Sequence, residues 1–373
     1  MDAPYKICLI SSEVYPLFNP LVRGAYSDAD IALFELARRL GNDARIDLSV
    51  IVGDHQQDDV EYFSGALVYR MRQGEEQGWK KWWRRKGAFE RQIEEIDAQV
   101  YCLSGASPLA LSIARFCKKR KRAFVFFAAH PRDCDGTYVH GAGEDGARFR
   151  QALHLARAVT CQTKEQARML LRAEKIKAYA LPPVAVALPA PEMRSGGVIW
   201  VGELVDWKQP EYFMRLAATL PNISFTLFGR PRKQEYLESL VEKTRHLPNL
   251  AFQNSVPYSE LGRFISNAKL LVNTSRFEGW PYASAQALTA GVPLASLHVD
   301  PDGAIGQHQL GIFAQGSEVH LAQETESLLT MPKHWARFSH AAGAYAAQHL
   351  DAKDIYQRYL KLLVMCAKEP VTK

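Results

Sequence analysis

Short apolar runs alternate with helix-length amphipathic stretches along nearly the whole chain, and this alternation narrows the possible folds more than any other feature. A run such as Ile7-Cys8-Leu9-Ile10 or Phe124-Val125-Phe126-Phe127 has no polar face, so it has to be covered on both sides. Strands covered on both faces belong to parallel sheets built from successive βα units. The pattern predicts strands over 6–11, 46–52, 99–103, 123–128, 158–161 and 177–181, with helices over 27–40, 108–120 and 164–173 between them. After residue 195 the alternation restarts. Strands are predicted over 198–201, 224–228, 250–253, 269–273 and 293–297, helices over 210–220, 234–245, 258–268 and 282–290, and two or three closing helices over 317–367.

Between the two series, Leu181-Pro182-Pro183-Val184-Ala185-Val186-Ala187-Leu188-Pro189-Ala190-Pro191 holds four prolines in eleven residues, too many for a helix or a central strand. This predicts an α/β chain of two doubly wound, Rossmann-like domains, residues 1–181 and 196–353, joined by a Pro-rich linker at 182–195 and facing a central cleft. A length of 373 residues suits two domains, and 47% hydrophobic with 23% charged residues excludes a disordered or disulfide-stapled chain. Six dispersed cysteines without C-x-x-C spacing read as reduced thiols, and no metal-ligand cluster stands out. The N-terminus lacks the charged and apolar regions of a signal peptide, and no stretch reaches the ~20 apolar residues of a membrane span. The expected location is therefore cytoplasmic.

Several signatures are missing: G-x-G-x-x-G after the first strand, G-x-x-x-x-G-K-[ST], G-x-S-x-G and H-E-x-x-H. What remains is a strand-to-helix turn, Asn273-Thr274-Ser275-Arg276-Phe277-Glu278-Gly279-Trp280-Pro281-Tyr282, which continues as a helix through Gln286. Backbone N–H groups at such a helix start, with the positive end of its dipole, suit a phosphate. A carboxylate beside it suits hydroxyl-rich ligands. Glu278 fits that role or that of a simple helix cap.

These residues resemble a known family. Phe277-Glu278-Gly279-Trp280-Pro281, the eight-residue step from Glu278 to Gln286, and Ala290-Gly291-Val292-Pro293 look like the E-x7-E region of family 4 retaining glycosyltransferases of the GT-B fold. Gly202-Glu203-Leu204-Val205-Asp206-Trp207-Lys208 looks like that family's G-R-L-x-x-x-K turn. Phe228-Gly229 matches the glycine before its nucleotide-binding turn, and Thr160-Cys161-Gln162-Thr163 its S/T-rich turn.

The resemblance implies sugar transfer from a UDP- or GDP-linked donor to a saccharide or lipid-linked acceptor, with retained anomeric configuration and no metal or cofactor. Lys208 would neutralise the diphosphate, Glu278 would hold donor-sugar hydroxyls, and Gly202, Gly229, Gly279, Trp280, Tyr282 and Gln286 would complete the donor site. The loop of Gly24 and Ala25, with His130 and Asp133, would face the donor from the first domain, His130 orienting or deprotonating an acceptor hydroxyl; an ordinary loop histidine reads equally well. Residues 354–373 would pack back on the first domain. Two departures stand out. Glu203 replaces the family's arginine, with Arg230 or Arg276 as candidate substitutes for its charge, and Gln286 replaces the second glutamate. A non-catalytic sugar- or partner-binding module with a degenerate donor site is the alternative.

The net charge is +6; residues 1–195 hold +5 of it, and residues 70–91 alone account for that +5. There, Trp79, Lys80, Lys81, Trp82, Trp83, Arg84 and Arg85 place three indoles at helical spacing among basic residues. Such a face suits peripheral attachment to an anionic membrane surface, here the inner face of the cell membrane. The pattern does not match a nucleic-acid module. A second basic run, 118–122, follows a helix and reads as a solvated helix end.

Overall fold

The computed structural model describes residues 3–72, 81–254 and 256–368, except for the side chains of 81–86. The chain divides into two compact units, Met1–Pro182 with Lys353–Lys373, and Pro183–Ala352.

In the first unit the strands are β1 (Tyr5–Ile10), β2 (Ile46–Val52), β3 (Val60–Phe63), β4 (Ala66–Arg70), β5 (Val100–Ser104), β6 (Ala123–Phe127), β7 (Ala158–Cys161) and β8 (Tyr179–Ala180). They form one sheet in the order β3-β4-β2-β1-β5-β6-β7-β8, and all of its neighbouring strands are parallel except β3 and β4. Each apolar strand is buried as its composition requires; β6 is buried throughout. The helix Asp28–Gly41 starts where Ser27 caps it, the Ser27 hydroxyl accepting the Asp30 N–H while Asp30 accepts the Ser27 N–H. This reciprocal box satisfies two orphan donors of the first turn.

The hairpin β3–β4 was not expected from the alternation. Ser64 and Gly65 close it with φ of 49° and 85°, the left-handed pair that a two-residue hairpin turn needs. The helix Gly143–Leu155 is also absent from the expected pattern, because its sequence, rich in glycine and charge, has only weak apolar periodicity. The final helix Ala352–Lys368 joins this unit: the Tyr356 hydroxyl donates to Asp43 at 2.6 Å, and the Tyr359 hydroxyl donates to the Leu181 carbonyl at 3.1 Å. All six cysteines are buried free thiols.

In the second unit the strands are β9 (Val198–Leu204), β10 (Phe225–Pro231), β11 (Leu250–Gln253), β12 (Leu270–Asn273), β13 (Leu294–Ser296) and β14 (Gly311–Phe313). All neighbours are parallel and the order is β11-β10-β9-β12-β13-β14. The first strand is thus central and the order reverses between β9 and β12, the arrangement of a Rossmann-type sheet. Trp200, Phe213, Phe225 and Leu240 anchor its core, and burial of each stabilises by roughly 1.5–3 kcal/mol. The Pro-rich segment has no regular structure from 181 to 190, but it is tied to this unit. Val186 N–H donates to the Tyr282 hydroxyl at 3.2 Å, and Leu188 N–H donates to Thr289 Oγ1 at 3.0 Å.

Candidate functional site

In a doubly wound sheet, ligands bind beyond the carboxyl ends of the strands at the point where the strand order reverses. Here that point lies between β9 and β12. The chain leaving β9 passes through the short turn Asp206–Lys208, and the chain leaving β12 runs through Thr274–Pro281 into the helix Tyr282–Thr289. The two segments are locked together. Trp200 Nε1 donates to Thr274 Oγ1 at 2.9 Å, Thr274 Oγ1 donates to the Lys208 carbonyl at 2.7 Å, and Arg276 N–H donates to the Trp207 carbonyl at 2.7 Å. Thr274 is fully buried, so the two bonds its hydroxyl makes are protected from water.

The lock brings the Lys208 ammonium onto the Glu278 carboxylate as an ion pair, with side-chain exposures of 6% and 14%. The same oxygen, Glu278 Oε1, accepts the Ser275 hydroxyl at 2.9 Å. Next to Lys208, Gln209 adopts a left-handed conformation at φ 50° and ψ 54°. Its buried Oε1 has no hydrogen-bond partner. Strained backbone and an unsatisfied buried polar atom side by side are what ligand sites concentrate.

On β9 and β10, Glu203 and Arg230 lie opposite one another in register, as do Gly202 and Gly229. Glu203 is 4% exposed and accepts Arg232 Nε at 2.5 Å. The sequence offers Arg230 or Arg276 as substitutes for the positive charge missing at position 203. Arg232, Ser275 and Gln209 were missed, although Arg232 lies only two residues beyond Arg230, just past the end of β10. His298 also sits at this edge, just after β13, and burial together with the nearby Arg276 charge lowers its pKa.

Other expected donor residues are placed differently. Trp280 is buried and stacks on Tyr345, with ring centroids 6.1 Å apart. Tyr282 is buried, its hydroxyl 2.9 Å from that of Tyr258 and bonded to Val186 N–H. Both side chains are therefore engaged inside the unit. Gln286 is buried on the same helix, and Arg276 is exposed.

In the first unit, Gly24 and Ala25 lie on an exposed loop. The His130 ring caps the turn Pro131–Asp133, its Nδ1 accepting Arg132 N–H at 3.1 Å. A neutral ring in that arrangement carries its proton on Nε2 and offers a donor there. Asp133 is buried, and its Oδ2 accepts the N–H groups of Ala129 at 2.9 Å and His130 at 3.1 Å. Burial nevertheless pushes its carboxyl up to about 6.

A cavity of about 680 Å³ opens in the second unit near the N-terminal end of β12, lined among others by Arg194, Lys269, Gly291 and Trp335. Arg194 is already used there, donating to the carbonyls of Ser266 and Ala290 at the C-terminal ends of two helices. The candidate site lies instead beyond the C-terminal ends of the strands.

Of the basic, tryptophan-rich residues, Trp79 and Lys80 lie outside the described residues. Lys81, Trp82, Trp83, Arg84 and Arg85 open the helix Lys81–Ile96, and their side chains are outside the described set. In the second basic run, Arg120 pairs with Glu94 and Arg122 with Asp97. Arg84 and Glu94 are ten residues apart, about 15 Å along a helix, so these pairs lie well away from the indoles in sequence.

Residues 193–344 match the model of the glycosyl transferases group 1 family. No curated protein matches the chain. Among solved structures the chain is similar to sucrose-phosphate synthase from Thermosynechococcus elongatus, with 17% identity, a TM-score of 0.73, and coverage of 97% of this chain and 98% of that one. It is similar to the E. coli trehalose-6-phosphate structure bound with UDP-2-fluoro glucose, with 11% identity, a TM-score of 0.69, and coverage of 96% and 98%. It is also similar to S. aureus TarM in complex with fondaparinux, alpha-GlcNAc-glycerol and UDP, with 12% identity and a TM-score of 0.64. That match covers 75% of this chain and 59% of TarM, so the chain spans less than two thirds of that relative's length. The chain thus has the GT-B fold of two Rossmann-like units, and the segment 193–344 in its second unit is similar to the glycosyl transferases of group 1.

Proposed function

We propose that this chain is a family 4 retaining glycosyltransferase that moves a sugar from a UDP- or GDP-linked donor to a saccharide acceptor. The acceptor is membrane-associated or lipid-linked, in cell-envelope polysaccharide or glycolipid synthesis, and the protein works peripherally at the cytoplasmic face of the membrane. The observation that carries the reading is the buried Lys208–Glu278 pair at the reversal point of the second sheet, inside the segment that matches the group 1 model. Two of the similar structures hold UDP or a UDP-sugar analogue.

An ammonium has three donors, so Lys208 can hold Glu278 and a phosphate oxygen at once. As the glycosidic bond to the diphosphate breaks, charge grows on the leaving oxygen, and a fixed cation beside it lowers the barrier. Glu278 accepts hydroxyls of the donor sugar through charge-assisted hydrogen bonds. The N–H groups at the start of the helix Tyr282–Thr289 add a phosphate cradle. With Nδ1 occupied, His130 serves as an orienting donor through Nε2. The reading includes no metal or cofactor.

The test is a screen of nucleotide-sugars for hydrolysis and for transfer to lipid-linked saccharides. The expected result is consumption of one donor with release of its nucleoside diphosphate, lowered 100-fold or more by Glu278→Ala. Turnover unchanged by that substitution overturns the site assignment. Failure of every donor to turn over, with no nucleotide binding, favours the non-catalytic module.

A further inference from the structure

We infer that Arg232, held in place by Glu203, is a diphosphate-binding residue of the donor site; this rests on the donor reading above. Glu203 is the penultimate residue of the central strand β9 and is 4% exposed, where an ionised carboxylate is costly unless a cation meets it. Arg232 meets it through Nε at 2.5 Å. In parallel register Glu203 lies opposite Arg230, and Arg232 follows just past the end of β10, at the carboxyl edge of the sheet.

The charges there do not cancel. Lys208, Arg230, Arg232 and Arg276 stand against Glu203, Asp206 and Glu278, an excess of one cation among these seven residues. The Arg232 side chain is 30% exposed while that of Glu203 is 5% exposed, so the carboxylate is the more deeply buried partner and the guanidinium lies toward the surface. Guanidinium is a rigid planar fork, and gripping it at Nε fixes the direction in which the two Nη groups point. A carboxylate at 203 repels phosphate, so its part is positioning. A pair of phosphates with two or more negative charges suits Arg232 as the fork and Lys208 as the point charge.

The test measures calorimetric binding of UDP, GDP and ADP, and of the matching nucleosides, to the full-length protein and its variants. Arg232→Ala is expected to weaken the preferred diphosphate at least tenfold while changing binding of its nucleoside less than twofold. Arg232→Lys should recover part of the loss, because it restores charge without the fork. Glu203→Gln should weaken the diphosphate several-fold, again without affecting the nucleoside. A double variant, Glu203→Gln with Arg232→Met, removes both charges; its folded state guards against misfolding as the cause, and it should bind like Arg232→Ala. Diphosphate binding unchanged in Arg232→Ala, or equal losses for nucleoside and diphosphate, overturns the assignment and leaves a purely structural ion pair. A wild-type chain that binds none of the three diphosphates overturns the donor reading, and this assignment with it.

Discussion

Lys208 and Glu278, seventy residues apart in sequence, form an ion pair at the reversal point of the second sheet, and the ammonium is the more buried partner. Removing one member of such a pair leaves an uncompensated charge, which costs about 3–5 kcal/mol. Lys208→Met is expected to lose stability of that order in urea unfolding. The double variant Lys208→Met with Glu278→Gln should lose clearly less, since no charge is left stranded. A loss in the double variant equal to the sum of the losses in Lys208→Met and Glu278→Gln alone shows that the pair is not coupled.

Thr274 connects the two arms of the site through Trp200 and the Lys208 carbonyl. Thr274→Val keeps the shape but strands a buried indole N–H and a backbone carbonyl, at roughly 2–4 kcal/mol together. The same change should also weaken nucleoside diphosphate binding, because it loosens the turn carrying Lys208. A variant as stable as the wild type rules out the lock.

Asp133 is expected to make the stability of the first unit depend on pH. Burial lifts its carboxyl from 3.8 to about 6, an effect only partly offset by the N–H donors of Ala129 and His130. Between those values the folded chain keeps a proton that the unfolded chain has released. Its contribution to stability is therefore complete below about pH 4 and is lost as pH rises through about 6. The loss is on the order of 3 kcal/mol. Asp133→Asn should remove this part of the pH dependence, so the difference between its unfolding curves and those of the wild type, measured from pH 4 to 7.5, should slope. A flat difference contradicts the assignment.

Gly65 turns the hairpin at φ 85°, and a Cβ there would lie 2.1 Å from the Gly41 carbonyl oxygen. Both the backbone conformation and the space exclude a side chain. Gly65→Ala should destabilise the first unit by at least about 2 kcal/mol, which thermal unfolding can read. Wild-type stability in that variant would show that the helix end at Gly41 moves aside at little cost.

For the basic, tryptophan-rich segment, the expected behaviour is co-sedimentation with vesicles containing anionic lipid, weakened by added salt. Replacing Trp82 and Trp83 with alanine should leave most of the protein in the supernatant. If both proteins pellet equally, the indoles do not anchor it.

Much of the scaffold could be read from the chain alone. Strands β2, β7 and β11 fall on their expected residues, and most other shared elements end within one to three of theirs. Runs that need cover on both faces, and helices with one apolar stripe, are local properties of ten or so residues. The turn at 273–282 and Lys208 were legible as chemistry for the same reason, since each is a short pattern beside a strand end.

Tertiary structure decided what local patterns do not contain. The hairpin was hidden because its two strands are short and half-exposed, although Ser64-Gly65 was an available signal. Trp280 and Tyr282 sit in a motif that reads as ligand-facing, yet Tyr345, Tyr258 and Val186 claim their side chains from distant parts of the chain. Glu203 looked like the loss of a needed charge, and the fold shows it as a buried carboxylate that meets Arg232 from just beyond β10. Periodicity by itself determined which segments became strands and helices, because burial of one face is settled within each element. Which charges meet was decided only by strand order and register, because an ion pair depends on ångström distances between residues far apart in sequence.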